Sequence, residues 1–389
     1  MHLSGRERQV RSSAILVKKR ISVLVTPRDP NPYQELLYKG VRDAGVRVRY
    51  ASGPTSSQSV NALLAPALLI WYRVQGFRIL HIHWTFQFDL PWAGQRGWVR
   101  RLMQWWFRFY LALGVFFGYK IIWTAHDLLP YPQIFNDDSR AREALISNSR
   151  AIVALSESSA NELRSLGAKR VHVIPFGSYV EPYPLTISKE EARASLGFEP
   201  DDLVAILMGR IEPYKGADLL LEAVGRLPLT SRIKTMIVGA CNDDAYRSEL
   251  VDLAGHTAWR AKLNLEWVPE DELGLYLQAS DIAVFPFRVI TNSSSIVLAA
   301  SFGLPVVISD LPMLRDIPES AAIRYTPTNE VETDSLLSAL DQVERLSTEE
   351  YLKMCTAASE WAHRNDWSSV ARQTTEVYKL VLSSEAKSE

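Results

Sequence analysis

A chain of 389 residues, 47% hydrophobic and 22% charged, has the make-up of ordinary globular material with room for two or three domains, which excludes disordered and fibrous classes. The net charge of −1 hides an asymmetry: residues 1–185 carry 24 Lys+Arg against 12 Asp+Glu and residues 186–389 carry 19 against 32, so a half of about +12 precedes one of about −13. Cys241 and Cys355, far apart and without metal spacing, exclude a disulfide framework and imply a reducing cytosol.

Residues 1–20 form a basic extension without the apolar core of a signal peptide, and no run of about 18 uncharged apolar residues announces a membrane span. Residues 21–26 read as an apolar strand, followed by a Pro- and Asp-rich loop carrying Arg28 and a helix over 33–44 that Gly45 ends. A strand at 46–50, a strongly apolar helix at 61–72 and a strand at 79–84 carrying His81 and His83 come next. This β-loop-α-β opening predicts a parallel sheet.

Residues 98–118 hold Trp98, Trp105, Trp106, Phe107, Phe109, Tyr110, Phe116 and Phe117 interleaved with Arg100, Arg101 and Arg108. That mixture suits a membrane interface; it equally suits a helix buried against the first sheet, with its Arg side chains reaching water. The basic half favours an anionic partner such as a membrane surface or phosphorylated lipid. Its scattered cations form no nucleic-acid motif.

A strand at 120–124 delivers Ala125, His126 and Asp127. A helix at 140–148, a strand at 151–156, a helix capped by Ser158 and running to Leu166, and a strand at 171–174 ending at Gly177 complete the first half. A linker with Pro182 and Pro184 leads to a second alternation, with strands at 204–208, 235–238, 263–267, 282–286 and 305–309, helices between them, and a last helix at 367–382 with Ser368 near its cap.

In open parallel sheets, ligands sit beyond the carboxyl ends of the strands. Arg28, Trp84, His126, Gly177, Arg210, Gly239 and the stretch after Pro286 fall there and would share one cleft if the two halves face each other. The run 203–208 stops at Gly209, Arg210 and Lys215 follow, and a helix opens at Ala217. Two cations beside a helix N-terminus suit phosphate, Arg as a fork and Lys as a point charge; two solvated surface cations would look the same. Ser293, Ser294 and Ser295 ahead of an apolar helix at 296–302 leave free N–H groups fit for a diphosphate, or form a plain cap. His126 beside Asp127 offers a proton-holding group at a strand end.

Together Thr124-Ala125-His126-Asp127, Val173 to Gly177, Gly209-Arg210 with Lys215-Gly216, Ala279-Ser280-Asp281 and Phe302 to Val307 resemble the nucleotide-sugar glycosyltransferases of the GT-B fold, especially family 4. Asn31-Pro32-Tyr33 and His81-Ile82-His83-Trp84 resemble bacterial members that build surface polysaccharides or glycolipids. The resemblance implies an α/β fold of two Rossmann-like domains facing each other across a cleft. It divides the chain into an acceptor-binding domain (21–180), a nucleotide-sugar domain (181–365) and a helix (366–389) returning to the first domain.

It implies that Arg210 and Lys215 hold the donor diphosphate and act as metal-independent catalysts with His126, which contacts the transferred sugar. Gly209, Gly239, Ser293, Ser294 and Ser295 join the donor site, and Arg28, His83, Trp84 and Asp127 the acceptor side. No cofactor or metal is expected, the UDP- or GDP-linked sugar being a substrate. The acceptor would be a lipid-linked saccharide or glycolipid at the inner membrane face. One departure is clear: Ile290 and Leu298 stand where the family carries a Glu pair. A sugar-nucleotide epimerase, a phosphorylase and a non-catalytic partner of a glycosyltransferase use the same fold and stay open here.

Overall fold

The computed structural model describes residues 20–383 except 30, 52, 54, 85–95, 131–132, 182, 184–186, 258 and 328–331. The basic extension and the linker prolines therefore lie outside the described residues, save Arg20. Among them are two parallel sheets. The first holds β1 (Ser22–Thr26), β2 (Arg47–Tyr50), β3 (Ile79–Ile82), β4 (Lys120–Ala125), β5 (Ser149–Ala154) and β6 (Val171–Val173) in the order β2-β1-β3-β4-β5-β6. The second holds β7 (Leu203–Met208), β8 (Ile233–Val238), β9 (Ala261–Asn264), β10 (Ile282–Phe285), β11 (Val306–Ser309) and β12 (Ala322–Tyr325) in the order β12-β11-β10-β7-β8-β9.

The helices are α1 (Pro32–Asp43), α2 (Gln58–Val74), α3 (Gly97–Phe116), α4 (Asp138–Asn148), α5 (Glu157–Ser165), α6 (Lys189–Leu196), α7 (Ala217–Gly225), α8 (Asp244–Gly255), α9 (Glu270–Ala279), α10 (Ser294–Ser301), α11 (Glu332–Glu344), α12 (Thr348–His363) and α13 (Trp367–Ser383).

The central strands read as largely apolar runs because both faces are covered. In the first sheet Leu24, Leu80 and Ile121 face a core shared with α3, through Val99, Met103, Phe107 and Leu111. Val23, Val25 and Ile122 face the other way, onto α1 and α13 through Leu37, Tyr38, Val370, Tyr378 and Val381. The second sheet repeats the arrangement: Ala205 and Leu207 pack on α7 and α11, while Val204, Ile206 and Met208 face the layer containing Ile296 to Ala299 of α10. Truncating one of these fully buried leucines to Ala would cost about 2–5 kcal/mol.

Several expected boundaries move. The strand expected at 79–84 ends at Ile82, so His83 and Trp84 belong to the loop beyond it. Ser156, not Ser158, caps α5, its side chain accepting from Ser159 N–H. The last helix is capped by Asp366, which accepts from Ser369 N–H, rather than by Ser368. β12 was not anticipated, because its four residues include Arg324 and carry no turn signal of their own. The 98–118 segment is a helix buried on one side, as its core reading expected. One face of α3 is core, while Trp98, Trp105 and Phe116 on the other are 63%, 60% and 79% exposed.

Candidate functional site

The carboxyl ends of the two sheets meet at a cleft of about 450 Å³. The first sheet contributes Arg28, Asp29, His83, Trp84, Trp123 and Asp127 to its lining, and the second contributes Arg210. Of the anticipated site residues, the cleft thus gathers Arg28, His83, Trp84, Asp127 and Arg210. Arg142 and Asn61 also line it, and neither was singled out from the sequence.

Behind Arg210 the chain is held close by glycine. A Cβ on Gly239 would lie 2.1 Å from the Gly209 carbonyl oxygen, so the β7 and β8 loops can approach this closely only with glycine at 239. Gly209 has φ +103°, and a Cβ on it would sit 2.7 Å from Ser295 Oγ and 3.4 Å from Lys215 Nζ. Gly209, Gly239, Ser295 and Lys215 therefore form one packed cluster.

Lys215, expected to be exposed, is buried, with 9% of its surface accessible. Desolvation is the main cause of a pKa lowered to about 8, with Arg210 adding to the fall and Glu212 and Asp127 opposing it. Asp127 keeps contact with solvent but sits in the crowded cleft, and lost hydration raises its carboxyl to about 6 against the pull of Lys215 and Arg210. The three charges are close enough to perturb one another, which is the condition for a site that handles anions near neutral pH.

Ser293 caps α10 by accepting from Ile296 N–H, so its hydroxyl is occupied. The N–H groups of Ser294 and Ser295, in the first turn, have no partner within the helix. The loop before them is tied to the opposite domain. Asn292 donates its side-chain amide to the carbonyls of Ala125 (3.3 Å) and His126 (3.0 Å) and accepts from the Ser156 hydroxyl (3.1 Å). Leu128 N–H donates to Thr291 Oγ1. Asp316 receives Glu157 N–H at 2.6 Å and the Ser158 hydroxyl at 2.7 Å at the start of α5, where the helix end favours a carboxylate. These bonds hold the His126 strand end against the first turn of α10.

His126 is 9% exposed and stacks on Trp84 with ring centroids 4.3 Å apart and planes 14° apart. Burial lowers its pKa to about 3, so its ring is neutral across the physiological range. Its Nε2 meets His83 Nδ1 at 3.0 Å. His83 was expected to bind the acceptor, but it is 1% exposed and both its nitrogens are engaged, Nε2 with Tyr38 Oη at 2.6 Å. Its ring thus lines the cleft while its nitrogens face Tyr38 and His126. Arg28 is exposed at the rim, its guanidinium 5.7 Å from the Tyr50 ring centre. Leu298 is buried and Ile290 packs on the same apolar layer, so the two positions where a Glu pair was expected are part of the core. Among the described residues no cluster of three or more His, Cys, Asp or Glu forms a metal-binding group.

The family described as "Glycosyltransferase Family 4" matches residues 16–178, and "Glycosyl transferases group 1" matches residues 188–361. An uncharacterised glycosyltransferase of Methanocaldococcus jannaschii is 26% identical over 263 residues, covering 64% of this chain and 66% of that protein. The phosphatidyl-myo-inositol mannosyltransferase of Mycolicibacterium smegmatis is 30% identical over 191 residues, covering 48% and 47%. The chain therefore spans between about half and two thirds of the length of these curated relatives. Sucrose-phosphate synthase of Thermosynechococcus elongatus superposes with a TM-score of 0.75 at 16% identity, covering 94% of this chain and 100% of that one. HepE of Anabaena, in complex with UDP-glucose, superposes with a TM-score of 0.66 at 15% identity, covering 92% and 100%. That likeness is one of fold.

Proposed function

This chain belongs to the GT-B glycosyltransferases of family 4 type, and from that premise we propose that it moves a hexose from a UDP- or GDP-linked donor to a lipid-linked saccharide or glycolipid. The observation that carries the donor half is the meeting of Arg210, Lys215 and the open first turn of α10 around Gly209. Two cations and two N–H groups converge where a diphosphate leaving group gains charge, and stabilising that charge is the main catalytic contribution open to such a site. The nucleotide of HepE's bound donor supports the choice of a nucleotide sugar. His126 contacts the transferred sugar, Trp84 gives the acceptor sugar a flat apolar face, and Asp127 accepts from the attacking hydroxyl. Arg28 at the rim meets the acceptor's anionic part. No resident cofactor or metal enters this scheme.

The acceptor half rests on the outer surface of the first domain. α2 has one charged residue in seventeen, Arg73, yet Leu63, Trp71 and Val74 are 59%, 63% and 83% exposed. It lies beside α3, where the Trp106 indole donates to Ala62 carbonyl. Exposed Trp, Leu and Phe on two neighbouring helices, with Arg101 and Arg108 on the same helix as the α3 aromatics, make a surface suited to anionic lipid headgroups. No described helix is long and apolar enough to cross a membrane. We place the enzyme peripherally at the inner membrane face, in surface polysaccharide synthesis.

The test is substitution of His126 by Ala in the full chain, with hexose transfer from UDP- and GDP-sugars to a polyprenyl-linked saccharide in vesicles as readout. Turnover is expected to fall by about 10²-fold, the scale of a lost transition-state contact, while affinity for the bare nucleoside diphosphate stays within about twofold. An equal fall in both would place His126 in the nucleotide pocket and remove it from the reaction.

A further inference from the structure

Six polar side chains from distant parts of the chain, His126 the outermost, form one hydrogen-bonded network. From the inside outward, Thr124 Oγ1 meets His81 Nε2 at 2.8 Å, and His81 Nδ1 meets both Tyr378 Oη at 2.7 Å and Tyr38 Oη at 2.8 Å. Tyr38 Oη then meets His83 Nε2 at 2.6 Å, and His83 Nδ1 meets His126 Nε2 at 3.0 Å. Tyr38, Tyr378 and His81 are wholly buried, and His83 and Thr124 nearly so. Burial holds the three imidazoles far below, and the two phenols far above, neutral pH, so every member is uncharged there.

We propose that Tyr378, on the last helix, is a positioning residue that sets through His81, Tyr38 and His83 which nitrogen of His126 carries the proton. This rests on the reading above that His126 contacts the sugar.

The inference follows from one assignment of the protons, in which Tyr378, the shorter contact, donates to His81 Nδ1. A neutral imidazole has one N–H and one lone pair. Tyr38 has one hydroxyl proton and two nitrogen partners. Tyr378 donates to His81 Nδ1 and fills its lone pair, which leaves the His81 proton on Nε2, donated to Thr124 Oγ1. Tyr38 must then donate to His83 Nε2, its shorter contact. The His83 proton sits on Nδ1 and is donated to His126 Nε2, so His126 holds its own proton on Nδ1. Nδ1 has no partner among the described residues and is left as a donor for a sugar oxygen. On this assignment, losing the Tyr378 hydroxyl opens the His81 Nδ1 lone pair to the Tyr38 proton, the protons of His83 and His126 move to their Nε2 atoms, and His126 Nδ1 becomes an acceptor; a His81 that instead turned its own proton to Nδ1 would leave His126 unchanged and overturn the proposal. One hydroxyl on α13 decides whether His126 gives or takes a hydrogen bond.

The experiment is a two-bond ¹⁵N–¹H correlation spectrum of the full chain labelled at histidine nitrogen, with the His126 signals assigned by their loss in His126→Ala. Wild type should show the Nδ1–H tautomer at His126, and Tyr378→Phe, which keeps the ring and its packing, the Nε2–H tautomer. Tyr38→Phe cuts the route at its middle, leaves His83 Nε2 unpaired and should give a mixture. Tyr325→Phe, a buried phenol of β12 in the other domain, should leave the wild-type pattern. In parallel, kcat of Tyr378→Phe should fall by about tenfold or more with KM for the donor nearly unchanged. A His126 tautomer identical in wild type and Tyr378→Phe overturns the proposal, as does one indifferent to Tyr38→Phe. A reversed tautomer with undiminished kcat would support the wiring and count against the sugar contact of His126.

Discussion

At the scale of single residues, the site is governed by two groups pushed toward neutrality from opposite sides. Lys215, lowered to about 8, must keep its proton to hold a diphosphate, and Asp127, raised to about 6, must lose its proton to accept from a hydroxyl. The profile of kcat/KM for the free enzyme is therefore predicted to be a bell, rising through about pH 6 and falling through about pH 8. Asp127→Asn should remove the acid limb from what activity remains. His126, neutral above about 3, adds no limb of its own.

Lys215 also bears on stability. Its folded pKa lies below its unfolded one, so between about 8 and 10.5 the unfolded chain binds the extra proton and stability rises with pH over that window. Below it the full cost is present, on the order of 3 kcal/mol. Lys215→Met, which keeps the stem and removes the charge, should raise the unfolding free energy at pH 7 while turnover collapses. Denaturant melts of the two proteins check this, and a less stable variant would mean that the charge is better solvated than its burial indicates. The sequence displayed Arg210 and Lys215 as a pair, five residues apart. It could not display the burial of one of them, because Ser295 of α10 and Asp127 beyond β4, which lie close to Lys215, are distant in the sequence.

At the scale of elements, what was legible depended on periodicity. Unbroken apolar runs such as Leu203 to Met208 announced the central strands, and of the residues expected beyond the strand ends Arg28, Trp84 and Arg210 line the cleft, while His126, Gly177 and Gly239 do not. α2 is apolar nearly all round, a composition usual for a buried helix, yet part of its surface faces solvent beside α3. The line from Tyr378 to His126 was invisible because the partners lie up to 297 residues apart and on four different elements. The α2–α3 face yields its own prediction. The protein should co-sediment with vesicles containing anionic lipid at low salt and be released at high salt, since each Arg near such a surface is worth about 1 kcal/mol. Arg100, Arg101 and Arg108 changed to Glu should abolish binding, and Trp71→Ser with Trp105→Ser should weaken it even at low salt. Equal sedimentation with neutral and anionic vesicles, or none with either, would mean that this face has another role.

At the scale of the whole molecule, the two sheets are joined by polar bonds at the mouth of the site and by Leu36, Phe176 and Trp367, which pack against the core of the second sheet. Asn292, Thr291 and Asp316 reach across to the strand ends of the first domain, so the first turn of α10 and the His126 loop are held as a unit. The expected two-domain α/β architecture with a single cleft was readable from the alternation of elements. The crossing bonds were not, since Asn292 beside three serines reads as a helix cap. The proposed diphosphate site lies where Arg210 enters that cleft, with Lys215 and the first turn of α10 behind it, and calorimetric titration of UDP and GDP into wild type, Arg210→Ala and Lys215→Ala tests it most directly. One of the two nucleotides should bind wild type and bind each variant about tenfold or more weakly, with hexose transfer reduced by about 10²-fold. Binding of neither nucleotide, or binding and transfer undiminished in both variants, would contradict it.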